Sequence, residues 1–179
     1  MSVLFDLQGT QSRVHGERGV SRYLVELANA LETHFADEVT QYLINPDLPV
    51  TRALGALPPP ARLGSVDALP SHASVYHVGS PFEPDIQLDK LWPPAARRMR
   101  LAVTLYDLIP EVFAETYLAD PNVRGWYRAR LGLLRRADRL LAISRATARD
   151  AVEQLGIRPE RIAVVGAAPA PQFAAPQVA

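Results

Sequence analysis

Three short stretches of this 179-residue chain carry side chains able to do chemistry directly after apolar runs or at the mouth of a helix. Asp107 follows Arg100-Leu-Ala-Val-Thr-Leu-Tyr106, and His77, Gly79, Ser80 and Glu83 sit in or just after Ala73-Ser-Val-Tyr-His-Val78. A carboxylate where a buried strand meets its loop can orient a substrate hydroxyl, so Asp107 is the candidate catalytic residue. Its alternative role is to cap the backbone ahead of Pro110. His77, with Gly79, Ser80 and Glu83, either lines a ligand pocket or is a hydrogen-bonded core histidine. The third stretch, Gly16-Glu17-Arg18-Gly19, precedes a helix whose free N–H groups and positive end suit a phosphate. An ordinary strand-to-helix turn fits the same residues, and Arg18 and Arg22 are either phosphate contacts or solvated helix-end charges.

Several chemistries are excluded or lack a motif. There is no cysteine, hence no disulfide, thiol nucleophile or thiolate metal site. His15, His34, His72 and His77 show no metal-ligand spacing, and no metal or cofactor is expected. Neither Gly-x-Gly-x-x-Gly nor a phosphate loop ending in Gly-Lys-Ser/Thr is present, which leaves hydride transfer and ATP hydrolysis without a motif. Ser144 and Thr147 fit helix capping better than nucleophilic catalysis, since no Gly-x-Ser-x-Gly turn surrounds Ser144. Lys+Arg and Asp+Glu stand at 19 each, so net charge steers the chain toward neither nucleic acid nor anionic lipid. No apolar run approaches the roughly 20 residues of a membrane span, and a cytoplasmic location is the expectation. The arginines at 124, 128, 130, 135, 136 and 139, interleaved with Trp126 and Tyr127, either rest on the inner face of a membrane or form a solvated helix face.

The elements that must position these residues alternate regularly. Val3–Leu7 reads as a strand, the three- and four-residue spacing of Val20, Tyr23, Leu24, Leu27, Ala28 and Leu31 predicts a helix from Gly19 to Phe35, and Val39–Ile44 is a second strand. Six prolines between 46 and 70 break regular structure and leave Arg62–Val66 as at most an edge strand. Further strands are expected at 73–78, 100–106, 138–143 and 161–165, with helices at 123–136 and 144–155, the latter capped by Ser144 and stopped by Gly156. This order implies an α/β, Rossmann-like three-layer domain with a mainly parallel sheet of about six or seven strands flanked by helices. Residues 1–166 form the domain, and 167–179, rich in Ala and Pro, look like the start of an interdomain linker.

Taken together, Asp6-Leu-Gln-Gly-Thr-Gln-Ser12 with Gly19-Val-Ser-Arg-Tyr23, Tyr76–Glu83, Val103–Pro110, Arg136–Ser144 and Ile162–Gly166 resemble, in order and spacing, the N-terminal domain of retaining glycosyltransferases of family 4. The resemblance covers nearly the whole chain. It implies the two-domain GT-B architecture, with a C-terminal domain of the same polypeptide holding a nucleotide sugar and this domain offering the acceptor side of the cleft. It places Gly16, Arg18, Gly19 and Ser21 toward the donor phosphates, and His77, Gly79, Ser80, Glu83 and Tyr106 toward a glycan or lipid-linked acceptor. Ser21 stands where many relatives have glycine, and Tyr106 where many have histidine. The implied function is sugar transfer by the two-domain enzyme, with this domain inactive alone. A stand-alone, non-catalytic binding domain of the same fold is the alternative.

Overall fold

A computed structural model describes residues 2–55, 57 and 62–168. Seven strands appear among them: β1 Val3–Asp6, β2 Val39–Ile44, β3 Leu63–Ser65, β4 Val75–Val78, β5 Arg100–Leu105, β6 Arg139–Ala142 and β7 Ile162–Val164. All pair in parallel, in the spatial order β3-β2-β1-β4-β5-β6-β7. The expected Rossmann-like α/β fold is therefore present, its sheet wholly parallel. The chain runs outward from β1 in one direction and returns to continue from β4 in the other. The crevice between the loops after β1 and β4 is thus a topological switch point, where open α/β sheets bind ligands.

Alternation along the strands builds two cores. Leu4, Tyr76, Val78, Val103 and Leu140 point to one face. There they meet Tyr127, Leu131 and Leu134 of α6 (Pro121–Arg136) and Ala151 and Leu155 of α7 (Arg145–Leu155). Phe5 and Tyr42 point to the other, under Leu24 and Ala28 of α1 (Gly19–Phe35) and Leu54 of α2 (Arg52–Gly55). Each buried aliphatic or aromatic side chain contributes on the order of 1.5–3 kcal/mol.

The helix boundaries follow local chemistry. The Asp120 carboxylate accepts from the N–H groups of Asn122 (2.7 Å) and Val123 (3.3 Å), and Pro121 supplies a preset first turn, so α6 begins two residues before the apolar spacing alone places it. Ser144 Oγ accepts from Thr147 N–H at 3.0 Å, and Gly156, at φ 64°, closes α7 in the left-handed conformation. Six further single-turn or 3-10 segments occur among the described residues: Gln8–Gln11, α3 (Leu88–Leu91), Pro94–Arg98, α4 (Ile109–Val112), α5 (Ala114–Tyr117) and Pro159–Arg161. The Leu63–Ser65 edge strand lies where the proline-rich stretch leaves room for it; Pro58, Pro59, Pro60 and the linker from residue 169 onward lie outside the described residues. Among the described residues no helix is long and apolar enough to cross a membrane.

One arginine departs from the expected solvated face of α6. Arg130 is 3% exposed, lies 4.2 Å over the Trp126 ring and donates from Nη2 to the backbone oxygens of Glu83 (3.2 Å) and Ile86. It falls four residues after Trp126 and three after Tyr127, on the inward stripe of the helix. Arg128, Arg135, Arg136 and Arg139 remain exposed, while Arg124 bonds the backbone oxygens of Leu118 and Ala119.

Candidate functional site

The carboxyl ends of β1, β4 and β5 send three loops to one rim of the sheet. Between them lies a cleft of about 230 Å³, lined by His15, Val20, Ser80, Phe82, Glu83, Tyr106, Asp107, Pro110, Trp126 and Tyr127. Four of the sequence-predicted residues, Ser80, Glu83, Tyr106 and Asp107, therefore meet in a single cavity. Phe82 stacks on Tyr127 (centroids 4.8 Å apart) and Tyr106 meets Tyr23 edge to face at 5.5 Å, giving the cleft aromatic walls.

Its polar groups are tied down. Glu83, 2% exposed, accepts from Ser80 Oγ through Oε1 at 2.7 Å and pairs through Oε2 with His15 Nδ1 at 2.9 Å. Tyr106 OH donates to Gly79 O at 3.1 Å, its carbonyl accepts from Thr147 Oγ1 at 2.8 Å, and burial raises its phenol well above the ordinary range. Of its two alternatives Asp107 shows the backbone-capping one, accepting the Ile109 N–H at 3.1 Å just ahead of Pro110, and it is exposed on the cleft.

The other predicted residues take different places. His77 is 7% exposed, stacks on Phe5 (4.5 Å) and shares a 2.8 Å hydrogen bond with Thr104. It is the core histidine of the two alternatives, and burial pulls its pKa down to about 4. Gly79 lies beneath the cleft, where a Cβ would come within 2.5 Å of Asp6 O and 2.6 Å of Leu24 Cδ2. Gly79→Ala is accordingly expected to cost about 1–3 kcal/mol in urea unfolding; a loss below about 0.5 kcal/mol contradicts that packing.

The loop expected to face phosphates does not share the cavity. Gly16 is buried, its N–H bonded to Ser12 O at 2.7 Å, and a Cβ there would meet that oxygen at 2.5 Å. Arg18 is the exposed N-cap of α1, with no side-chain cap, and Gly19 has open space around it at the edge of a separate groove with Arg22 and Tyr23. Ser21 turns inward, fully buried, its Oγ without a partner among the described residues. Only Val20, between them, touches the cleft.

Beneath the cleft, Asp6 is fully buried at the end of β1. Its Oδ1 accepts the Gln8 N–H at 2.9 Å, while its Oδ2 and the Gln8 Oε1 have no partner among the described residues. Burial pushes the carboxyl up to about 7, against the Gln8 contacts that lower it and with a small upward push from Glu83. His15, Phe82, Trp126 and Tyr127 were not singled out for the site from sequence. His15 joins through a partner 68 residues away, and from sequence Trp126 and Tyr127 read as rings interleaved with the arginines of a membrane-resting or solvated helix face. Among the described residues no group of three or more His, Asp or Glu side chains is placed to hold a metal ion.

Comparison with known proteins gives a consistent result. The model of Glycosyltransferase Family 4 matches residues 18–167, most of the chain. Three curated relatives, each a serotype-specific mannosyltransferase WbdA from Escherichia coli, are 38% identical over 69 residues. That match covers 38% of this chain and 8% of each relative's length. A parallel seven-stranded sheet, a cleft at its topological switch point and a family match that spans nearly the whole described domain lead to one assignment: this chain belongs to glycosyltransferase family 4.

Proposed function

We propose that this domain is the acceptor-binding half of a retaining, GT-B glycosyltransferase that transfers a hexosyl group from a nucleotide sugar to a glycan or lipid-linked acceptor. One observation carries the reading: the cleft at the strand ends combines aromatic walls with Ser80, Glu83, His15 and Asp107. Sugars have apolar C–H faces that pack on rings and hydroxyls that donate to acceptors such as the Asp107 carboxylate and the His15 ring, which is the mixture this cleft offers. The nucleotide sugar is assigned to a C-terminal domain of the same polypeptide, because no dinucleotide fingerprint or phosphate loop occurs here and the glycine loop before α1 lies outside the cleft. Likeness to mannosyltransferases makes mannose the first donor sugar to try. Neither metal nor cofactor is required by this scheme, nucleic acid has no part in it, and contact with the inner face of a membrane is left to the exposed arginines of α6.

Transfer needs donor and acceptor held together in a closed, water-poor site, so the 179-residue chain alone should not turn over. In the polypeptide that includes the donor-binding region, Asp107→Asn is expected to lower kcat/KM for the acceptor by about 10²-fold, with the donor KM unchanged. Steady-state kinetics with a panel of nucleotide sugars reads both numbers. A donor KM that rises while the acceptor KM stays fixed would reverse the assignment of the two sides.

A further inference from the structure

We propose that His15 is an acceptor-binding residue whose Nε2 takes the hydrogen bond of one sugar hydroxyl, in an orientation set by Glu83; this rests on the reading of the cleft as the acceptor site. The geometry begins at the carboxylate. Glu83 is buried, and its Oε1 is occupied by the Ser80 hydroxyl at 2.7 Å while Oε2 faces His15 Nδ1 at 2.9 Å. A carboxylate opposite Nδ1 fixes the imidazole proton on that nitrogen, so in the neutral ring Nε2 carries a lone pair. The ring is 32% exposed on the cleft, and Nε2 makes no hydrogen bond among the described residues.

The loop that carries His15 is held to the loop that carries Glu83 at a second point. Ser12 Oγ donates to Asp85 Oδ1 at 2.8 Å and Arg13 N–H to Asp85 Oδ2 at 2.7 Å, while Ser12 Oγ also accepts the His15 N–H at 3.2 Å. The imidazole is therefore positioned before any ligand arrives, which lowers the ordering cost of binding. Elsewhere on the cleft, the hydroxyl protons of Ser80 and Tyr106 are already donated to Glu83 and to the Gly79 carbonyl. Nε2 is an uncommitted acceptor, and a sugar hydroxyl is a donor of matching size. While the ring is neutral, a phosphate oxygen, itself an acceptor, gains no hydrogen bond from that lone pair, so the same atom then favours a sugar hydroxyl over the donor's diphosphate.

The test is a substitution cycle between residue and hydroxyl. His15→Asn keeps a side-chain N–H near Nδ1 to hold Glu83 but lacks any atom at Nε2, whereas His15→Gln carries its amide out to the place of Nε2. The 179-residue chain and both variants are titrated with methyl pyranosides and their monodeoxy analogues, followed by backbone and indole NMR shifts. The expected result is that one deoxy analogue binds the parent chain about tenfold more weakly than its sugar, that His15→Asn loses the same factor for the sugar and no longer distinguishes the two, and that His15→Gln regains part of the distinction. Urea unfolding of His15→Asn within about 0.5 kcal/mol of the parent shows that the loop is intact. Losses that simply multiply, or a sugar that moves cleft resonances equally in parent and both variants, overturn the role of His15 alone. Pyranosides that move no cleft resonance in the parent overturn the acceptor reading as well.

Discussion

Asp6→Asn is expected to gain stability over the parent chain as pH rises from about 4 to 7, by about 1.4 kcal/mol per unit and about 4 kcal/mol in all. The cause is a carboxyl at about 7 in the folded state, raised from 3.8 by complete burial at the end of β1. A raised acid binds its proton more tightly when folded. The stability it contributes is fully present below the unfolded pKa and is lost as pH rises through the folded one. Asparagine keeps an oxygen for the Gln8 N–H and has no charge to bury, so the variant escapes that loss. His77 works in the opposite sense. Its folded pKa of about 4 lies below the ordinary 6.5, so its contribution is complete above 6.5 and lost as pH falls through 4. Between about 4 and 6.5 the two slopes oppose each other, and for these groups the parent is nearly level. Asp6→Asn should expose a loss of stability toward acid, and His77→Gln a gain toward acid. Urea unfolding at half-unit pH steps measures both; parallel curves for parent and Asp6→Asn would show that Asp6 is not buried as an acid.

Arg130→Met is expected to cost about 3 kcal/mol, against less than about 0.5 kcal/mol for Arg128→Met two residues earlier. Arg130 holds the backbone oxygens of Glu83 and Ile86 against α6 and lies over Trp126. Removing it leaves the buried Ile86 carbonyl unpaired and the Glu83 carbonyl with only the long Ile86 N–H contact at 3.4 Å, and takes away a cation–π contact, whereas Arg128 is exposed. Burial also lowers the Arg130 pKa to about 10, which leaves the guanidinium charged at neutral pH. Arg130→Lys should recover only part of the loss, because an ammonium cannot present the planar fork of donors. The same clamp fixes the loop that carries Ser80 and Glu83, so a sugar that binds the cleft should bind Arg130→Met more weakly. Equal unfolding curves for the Arg128 and Arg130 variants would return Arg130 to the solvated face of α6.

The legible part of this protein is the part whose side chains repeat. Strands β1, β2, β4, β5 and β6 carry the apolar runs of a sheet buried on both faces, and α1 starts and ends where the spacing of Val20 to Leu31 predicts. Ser144 and Gly156 bound α7 by chemistry that can be read without coordinates. The short turns at 88–91, 109–112 and 114–117 escaped because single helical turns have no period to detect. Within the site, His15 was not legible, since its role depends on Glu83, 68 positions on. Arg130 was legible in principle: its steps of four from Trp126 and three from Tyr127 place it on the inward stripe, but an arginine at such a position reads as surface until its carbonyl partners are seen.

The most direct test of the account is which half of the reaction this domain binds. The ¹⁵N-labelled chain is titrated separately with an oligosaccharide acceptor and with a nucleotide sugar. The account predicts that the oligosaccharide shifts the amides of Ser80, Tyr106 and Asp107 and the indole of Trp126, and that the nucleotide sugar leaves those four in place. Saturable shifts of the same resonances by the nucleotide sugar, with none from any oligosaccharide, would contradict it.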